Sequence, residues 1–66
     1  MGIGSKIREY RLKAKMTQRE LADKLHVTYQ AVSRWENNSA EPSFETLREM
    51  CRVLCCTVDD LFEIRK

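Results

Sequence analysis

The stretch of sequence that decides the fold is QRELADKLHVTYQAVSRWEN, residues 18–37. Thr17, immediately before it, forms a capping-box pattern with Glu20: the threonine hydroxyl can accept a hydrogen bond from the backbone of Glu20 while the glutamate carboxylate reaches back. This pattern predicts that a helix begins at Gln18. Its inward face is expected to carry the apolar residues Leu21, Ala22 and Leu25.

A second helix in the same stretch follows an interruption at His26 and Val27. Thr28 can cap its start, and Asn37 suits its end because asparagine tolerates the left-handed backbone often found there. At about 100° per residue, one face of this helix is built to pack. That face holds Thr28, Val32, Trp35 and Glu36. The other face carries the hydrogen-bonding side chains of Gln30, Ser33, Arg34 and Asn37, with Tyr29 at its edge.

The flanking sequence also has helical periodicity, and no segment alternates with the period of two that a half-buried strand requires. One earlier helix carries a stripe of Ile3, Ile7, Tyr10 and Ala14. After a loop and a cap at Ser43, a fourth carries Phe44, Leu47, Cys51 and Leu54. Thr57 opens a short fifth helix, from which Val58, Leu61 and Phe62 complete the core. The pattern predicts an all-α, compact five-helix fold, with residues 1–66 forming a single domain.

Two charged residues are expected inside this fold. Arg11 lies on the apolar stripe of the first helix, four residues after Ile7, and Glu36 lies on the inward face of the third helix. A charge buried alone is costly, so the simplest arrangement is that Arg11 and Glu36 form a structural ion pair.

Composition limits the possible functions. The formal net charge of +2 divides unevenly, because residues 1–38 hold eight Lys or Arg against four Asp or Glu, a balance of +4, and residues 39–66 hold four against six, a balance of −2. The first part is the candidate for binding a polyanion. Nothing resembles a membrane span or a secretory signal, which predicts a cytoplasmic protein. No nucleophile, base and orienting group converge, so we do not expect an enzyme.

The three cysteines do not indicate a cofactor. Cys51, Cys55 and Cys56 cannot form a closed set of disulfides, there is no C-x-x-C pair, and the chain has one histidine. We therefore expect buried, inert thiols, with no metal, no cofactor and no evident small-molecule ligand. The adjacency of Cys55 and Cys56 leaves oxidation sensing as an alternative.

Residues 18–37 resemble the helix-turn-helix of the phage repressor and Cro family, also called the xenobiotic-response-element family. Ala22, Val27, Val32 and Trp35 occur at the family's spacing, and the resemblance extends to residues 7–11, 42–47 and 58–62. It implies a repressor-like DNA-binding domain with the helix-turn-helix at helices 2 and 3. The third helix would enter the major groove and the start of the second would lie against the DNA backbone.

The resemblance also implies roles for individual residues. Gln18 is expected to contact a phosphate and steady Gln30, and the end of the third helix is expected to meet the DNA backbone. The full set expected at DNA is Thr17, Gln18, Arg19, Thr28, Tyr29, Gln30, Ser33, Arg34, Asn37, Asn38 and Ser39. Members of the family usually have glycine at the positions of His26 and Cys55, so a left-handed backbone is expected at both.

Related proteins bind as two-fold dimers to half-sites about 34 Å apart. For this chain the dimer contact is expected from the C-terminal part, where the apolar candidates are Met50, Val53, Phe62 and Ile64. The expected function is sequence-specific binding of a palindromic double-stranded DNA operator by a homodimer that represses transcription by occluding polymerase. Activation remains open, and the alternative function is an antitoxin or anti-repressor module that neutralises a protein partner.

Overall fold

The computed structural model describes residues 3–62 and contains five helices. They are α1 (Gly4–Lys13), α2 (Gln18–Leu25), α3 (Tyr29–Glu36), α4 (Phe44–Leu54) and α5 (Val58–Phe62). No strand occurs in this range, so the all-α prediction is confirmed. None of these helices has the length and apolar character needed to cross a membrane.

The helices begin where the capping residues predict. The Thr17 hydroxyl accepts a hydrogen bond from the Glu20 backbone at 3.1 Å, and the Glu20 carboxylate accepts one from the Thr17 backbone at 2.8 Å, which completes the capping box. Thr28 and Ser43 cap α3 and α4 through side-chain oxygens. Each cap satisfies a backbone N–H that has no partner within its helix, and so fixes where that helix starts.

The turns after α2 and α4 use left-handed backbone, as expected at His26 and Cys55. Their φ angles are 60° and 56°. Lys15 and Asn38, in the turns after α1 and α3, also have positive φ. Asparagine adopts this conformation more readily than histidine, lysine or cysteine, which each carry a modest strain there.

A single core joins the five helices. α3 packs against α1 and α2, while α4 packs against α2 and α5, and α5 closes onto α1. The most deeply buried side chains are Ile7, Leu21, Val32, Met50 and Leu61. Trp35 is also buried, which confirms its predicted core role. α3 is therefore held on its apolar side by two neighbouring helices.

Three predicted core positions are wrong. Phe44 is 68% exposed because it is the first residue of α4, and helical side chains tilt toward the N-terminus, beyond the packed stripe. Phe62, at the far end of the described part of α5, is 47% exposed. Ala14 is exposed because α1 ends at Lys13 and the chain turns away at Lys15.

Met50 corrects a predicted dimer contact. Its side chain is 0% exposed, because it lies on the same α4 stripe as Leu47 and Leu54, three residues after the one and four before the other. The expectation that Met50 is spare for a second chain is therefore wrong: its surface is used within one domain.

The cysteines occupy three environments. Cys51 is buried and Cys56 is half-buried, but Cys55, in the left-handed turn after α4, is exposed, so the prediction of burial is wrong for this residue. Burial raises the pKa of the Cys51 thiol. Burial, followed by the neighbouring Cys51 thiol and the Asp60 carboxylate, raises the pKa of Cys56 to about 12. Few reactive thiolates are available at these two positions.

Iodoacetamide at pH 8 is expected to label Cys55 first and to leave Cys51 and Cys56 largely unmodified in the folded chain. With a pKa of about 12, only about one Cys56 thiol in 10⁴ is ionised at that pH. Peptide mass spectrometry over time measures the order. All three sites should react quickly in denaturant, and Cys55→Ser should remove the fast phase. Equal rates at Cys55 and Cys56 in the folded chain would contradict the described burial.

Candidate nucleic-acid interface

The two faces of α3 differ as the helical wheel predicts, with one exception: Thr28, which was expected on the packing face, is exposed, because it caps the start of the helix instead of packing against the core. Val32 and Trp35 face the core, whereas Gln30, Arg34 and Asn37, the last of which follows the end of α3, are exposed. Ser33 is half-buried and Tyr29, the first residue of the helix, is 38% exposed. One side of α3 packs against the core, and the other presents amide, guanidinium and hydroxyl groups to solvent. These groups can form hydrogen bonds with base edges and phosphates.

Arg11 and Glu36 form the predicted ion pair. Arg11 Nε donates to Glu36 Oε2 at 2.6 Å and Nη2 donates to Oε1 at 3.2 Å. The two side chains are only 9% and 4% exposed. Arg11 Nη1 also donates to the Met16 carbonyl at 2.7 Å. The pair therefore fixes the last residue of α3 to α1 and to the turn before α2.

Gln18 joins this pair. Its Nε2 donates to Glu36 Oε1 at 3.1 Å, a contact that the sequence did not reveal, and the expected contact of Gln18 with Gln30 stays a prediction. Gln18 is the first residue of α2, where the backbone N–H groups have no acceptor within the helix. The start of α2, which can attract a phosphate through its dipole, is thereby held at a fixed position relative to α3.

A contact between α1 and the end of α3 was missed by sequence reasoning. The Gly4 backbone donates to Asn38 Oδ1 at 3.0 Å. A Cβ atom at Gly4 would lie 2.5 Å from the carbonyl oxygens of both Trp35 and Glu36, so only glycine permits this approach. The one sequence signal is a glycine inside the first turn of a helix. Gly4 and Asn38 thus set the path of the chain as it leaves α3.

Another contact that the sequence did not reveal joins α2 to α3. The Arg19 guanidinium carbon lies 4.2 Å from the centroid of the Tyr29 ring, a cation–π geometry. The two residues are at the starts of different helices, ten positions apart in the chain. No periodicity or spacing argument connects them, although each was separately expected at DNA.

The residues expected at DNA lie on three segments of the helix-turn-helix region. The start of α2 carries Thr17, Gln18 and Arg19. The start and outer face of α3 carry Thr28, Tyr29, Gln30, Ser33 and Arg34, and the turn after α3 carries Asn37, Asn38 and Ser39.

Among the apolar candidates for a dimer contact, Val53 is half-buried, Phe62 is exposed, and Ile64 lies outside the described residues.

Comparison with known proteins finds similarity to helix-turn-helix proteins. A family model described as Helix-turn-helix, HTH_3, matches residues 7–61. The transcriptional regulator DicA of Escherichia coli K12 is 40% identical over 55 residues, which are 83% of this chain and 41% of DicA. The transcriptional activator BcrR of Enterococcus faecalis is 31% identical over 61 residues, which are 92% of this chain and 30% of BcrR. The chain thus spans less than half the length of either relative.

A solved structure confirms the repressor-like fold. The P22 c2 repressor, crystallised in complex with a synthetic operator, superposes with a TM-score of 0.86 and 34% sequence identity, covering 92% of this chain and 92% of that one. The similar proteins are regulators of transcription, in agreement with the prediction that this chain is not an enzyme. The chain belongs to the HTH_3 family of Cro/C1-type helix-turn-helix proteins.

Proposed function

We propose that this protein is a sequence-specific, double-stranded DNA-binding regulator of transcription whose α3 enters the major groove. The observation that carries the proposal is the exposed polar face of α3, which is supported from behind by buried Val32 and Trp35. The P22 c2 repressor, which has this fold, was crystallised with operator DNA, and this supports the same use here.

Base recognition is assigned to the middle of the exposed α3 face. The Gln30 amide can pair with the donor and acceptor edge of adenine, and the Arg34 guanidinium can donate two hydrogen bonds to guanine. Ser33 can bond either a base or a phosphate. Tyr29 lies at the N-terminal edge of this face, beside Arg19.

Phosphate contacts are assigned to both sides of this face. Thr17, Gln18, Arg19 and Thr28 lie toward the starts of α2 and α3, and Asn37, Asn38 and Ser39 lie beyond the end of α3. Asn38 Oδ1 accepts a hydrogen bond from the Gly4 backbone, which leaves the Nδ2 group of Asn38 available to donate to a phosphate. Phosphate contacts of this kind fix the orientation of the protein without reading sequence.

The proposed regulator binds a palindromic operator as a homodimer and represses transcription by occluding polymerase. One helix-turn-helix covers too few base pairs to specify a site, and a two-fold dimer doubles the readout. Val53 and Phe62 remain the apolar candidates for the dimer contact among the described residues. BcrR is named as an activator and P22 c2 as a repressor, so a reporter assay with the selected site near a promoter would test the direction of regulation.

Selection of binding sites from random duplexes is expected to yield a two-fold sequence with half-sites about 34 Å apart. Gln30→Ala and Arg34→Ala should each relax one base position per half-site and weaken binding by about 1 to 3 kcal/mol. Arg48→Ala, which removes an exposed arginine from α4, is the matched control and should leave the selected sequence unchanged. Equal binding to all sequences, unaffected by the α3 substitutions, would contradict direct readout.

A further inference from the structure

We propose that Arg19 is a positioning residue: it holds the Tyr29 ring in place so that Tyr29 reads the C5-methyl group of a thymine. This inference rests on the proposed function, because it concerns base selection by the same surface. It is drawn from the contact between the second residue of α2 and the first residue of α3, with the guanidinium carbon 4.2 Å from the ring centroid.

The tyrosine ring is the described partner of the Arg19 guanidinium. Among residues 3–62, no carboxylate forms an ion pair with Arg19, although Glu20 and Asp23 are close along the same helix. A guanidinium above an aromatic face within about 6 Å of its centre is attracted by the negative charge density of that face. The contact therefore restrains an exposed tyrosine that could otherwise exchange between rotamers.

This stacking leaves the DNA-binding capacity of Arg19 intact. The five N–H donors of a guanidinium lie in its plane, whereas the contact with Tyr29 uses its face. Arg19 can therefore donate to a phosphate at the start of α2 while it covers one side of the ring. A single side chain would then both bind the DNA backbone and fix the position of the ring that contacts a base.

The remaining surface of the ring suits an apolar target. Tyr29 is 38% exposed with Arg19 in place, and it lies at the end of α3 that meets the major groove in the proposed complex. In that groove the C5-methyl group is the apolar feature that distinguishes thymine. Because the ring is already restrained in the free protein, less side-chain freedom is lost when it contacts the methyl group.

The test uses the operator selected with the wild-type protein and replaces single thymines by deoxyuridine, which removes only the methyl group. For the wild type, one position per half-site should lose about fourfold in affinity, as expected for one buried methyl. In Arg19→Lys, which keeps the positive charge but loses the planar face, this sensitivity should shrink, and preference for thymine there should fall about two- to fourfold.

Two further variants separate positioning from phosphate binding. Tyr29→Ala should abolish sensitivity to the methyl group, and Arg19→Lys should change it no further in the Tyr29→Ala background, because the two side chains act together. Arg8→Lys makes the same chemical change at an exposed position on α1 and should leave the thymine preference unchanged.

The outcomes distinguish this inference from the proposed function. A wild-type chain that selects no sequence overturns the proposed function and this inference with it. A selected operator whose thymine preference is unchanged in Arg19→Lys, or a loss of affinity that is uniform over selected and random duplexes, overturns the inference alone, because it assigns Arg19 only to phosphate binding.

Discussion

Replacing Glu36 with alanine is expected to lower the free energy of unfolding by about 3 to 5 kcal/mol, because it leaves Arg11 buried without its counter-charge. The Arg11 side chain is 9% exposed, and two of its three described hydrogen bonds go to Glu36. A domain of this length has a total stability of only about 3 to 10 kcal/mol, so much of the variant should be unfolded near room temperature. Urea denaturation followed by circular dichroism measures the change.

The matched control for this substitution is Glu9→Ala, which removes an exposed carboxylate that pairs with Lys6 at 3.3 Å and Lys13 at 3.5 Å. Surface pairs contribute little, so its denaturation midpoint should stay close to that of the wild type. Replacing both buried partners, as in Arg11→Met with Glu36→Leu, should destabilise the chain less than Glu36→Ala, since no charge is left unpaired. Equal midpoints for Glu36→Ala and Glu9→Ala would contradict the described burial.

Glu36 is also expected to affect the proposed DNA binding, through its contact with Gln18. The Glu36 carboxylate accepts from Gln18 Nε2, and this bond fixes the start of α2 relative to the end of α3. Stability and operator binding are therefore expected to fall together in Glu36→Ala, even though Glu36 itself is placed away from DNA.

The features that the sequence predicts correctly depend on local chemistry. The start of α2 follows from Thr17 and Glu20, which are three residues apart and satisfy each other's backbone groups. The Arg11–Glu36 pair was predictable for a different reason: each residue lies on the inward stripe of its helix, and a buried charge needs a partner. The exposed face of α3 follows from the same periodicity.

The features that escaped prediction depend on how separate helices meet. Periodicity gives the direction of a side chain, but it does not say which neighbour covers it, so Phe44 was expected in the core and Met50 was expected to be spare. The Arg19–Tyr29 contact depends on the angle between α2 and α3, which the left-handed turn at His26 sets. The close approach at Gly4 likewise depends on where α1 crosses the end of α3.

Met50→Ala is expected to destabilise the chain by about 2 to 5 kcal/mol, the range for removing most of a fully buried side chain from a core. Met50 is 0% exposed and lies on the buried stripe of α4, against which α2 and α5 pack. Because this loss belongs to one domain, the change in the free energy of unfolding should be the same at low and high protein concentration. Chemical denaturation at two concentrations a hundredfold apart measures this.

Val53→Ala and Phe62→Ala supply the comparison, because both side chains keep exposed surface outside the core. If either contributes to a dimer, its truncation should weaken self-association measured by sedimentation, and any stability lost should depend on concentration, since a second chain stabilises the folded state by mass action. If the Met50→Ala chain keeps wild-type stability at low concentration and loses only self-association, Met50 is part of the dimer interface and the prediction is contradicted. If Met50→Ala instead loses the same stability at both concentrations, as predicted, the dimer contact is restricted to side chains that the core leaves exposed.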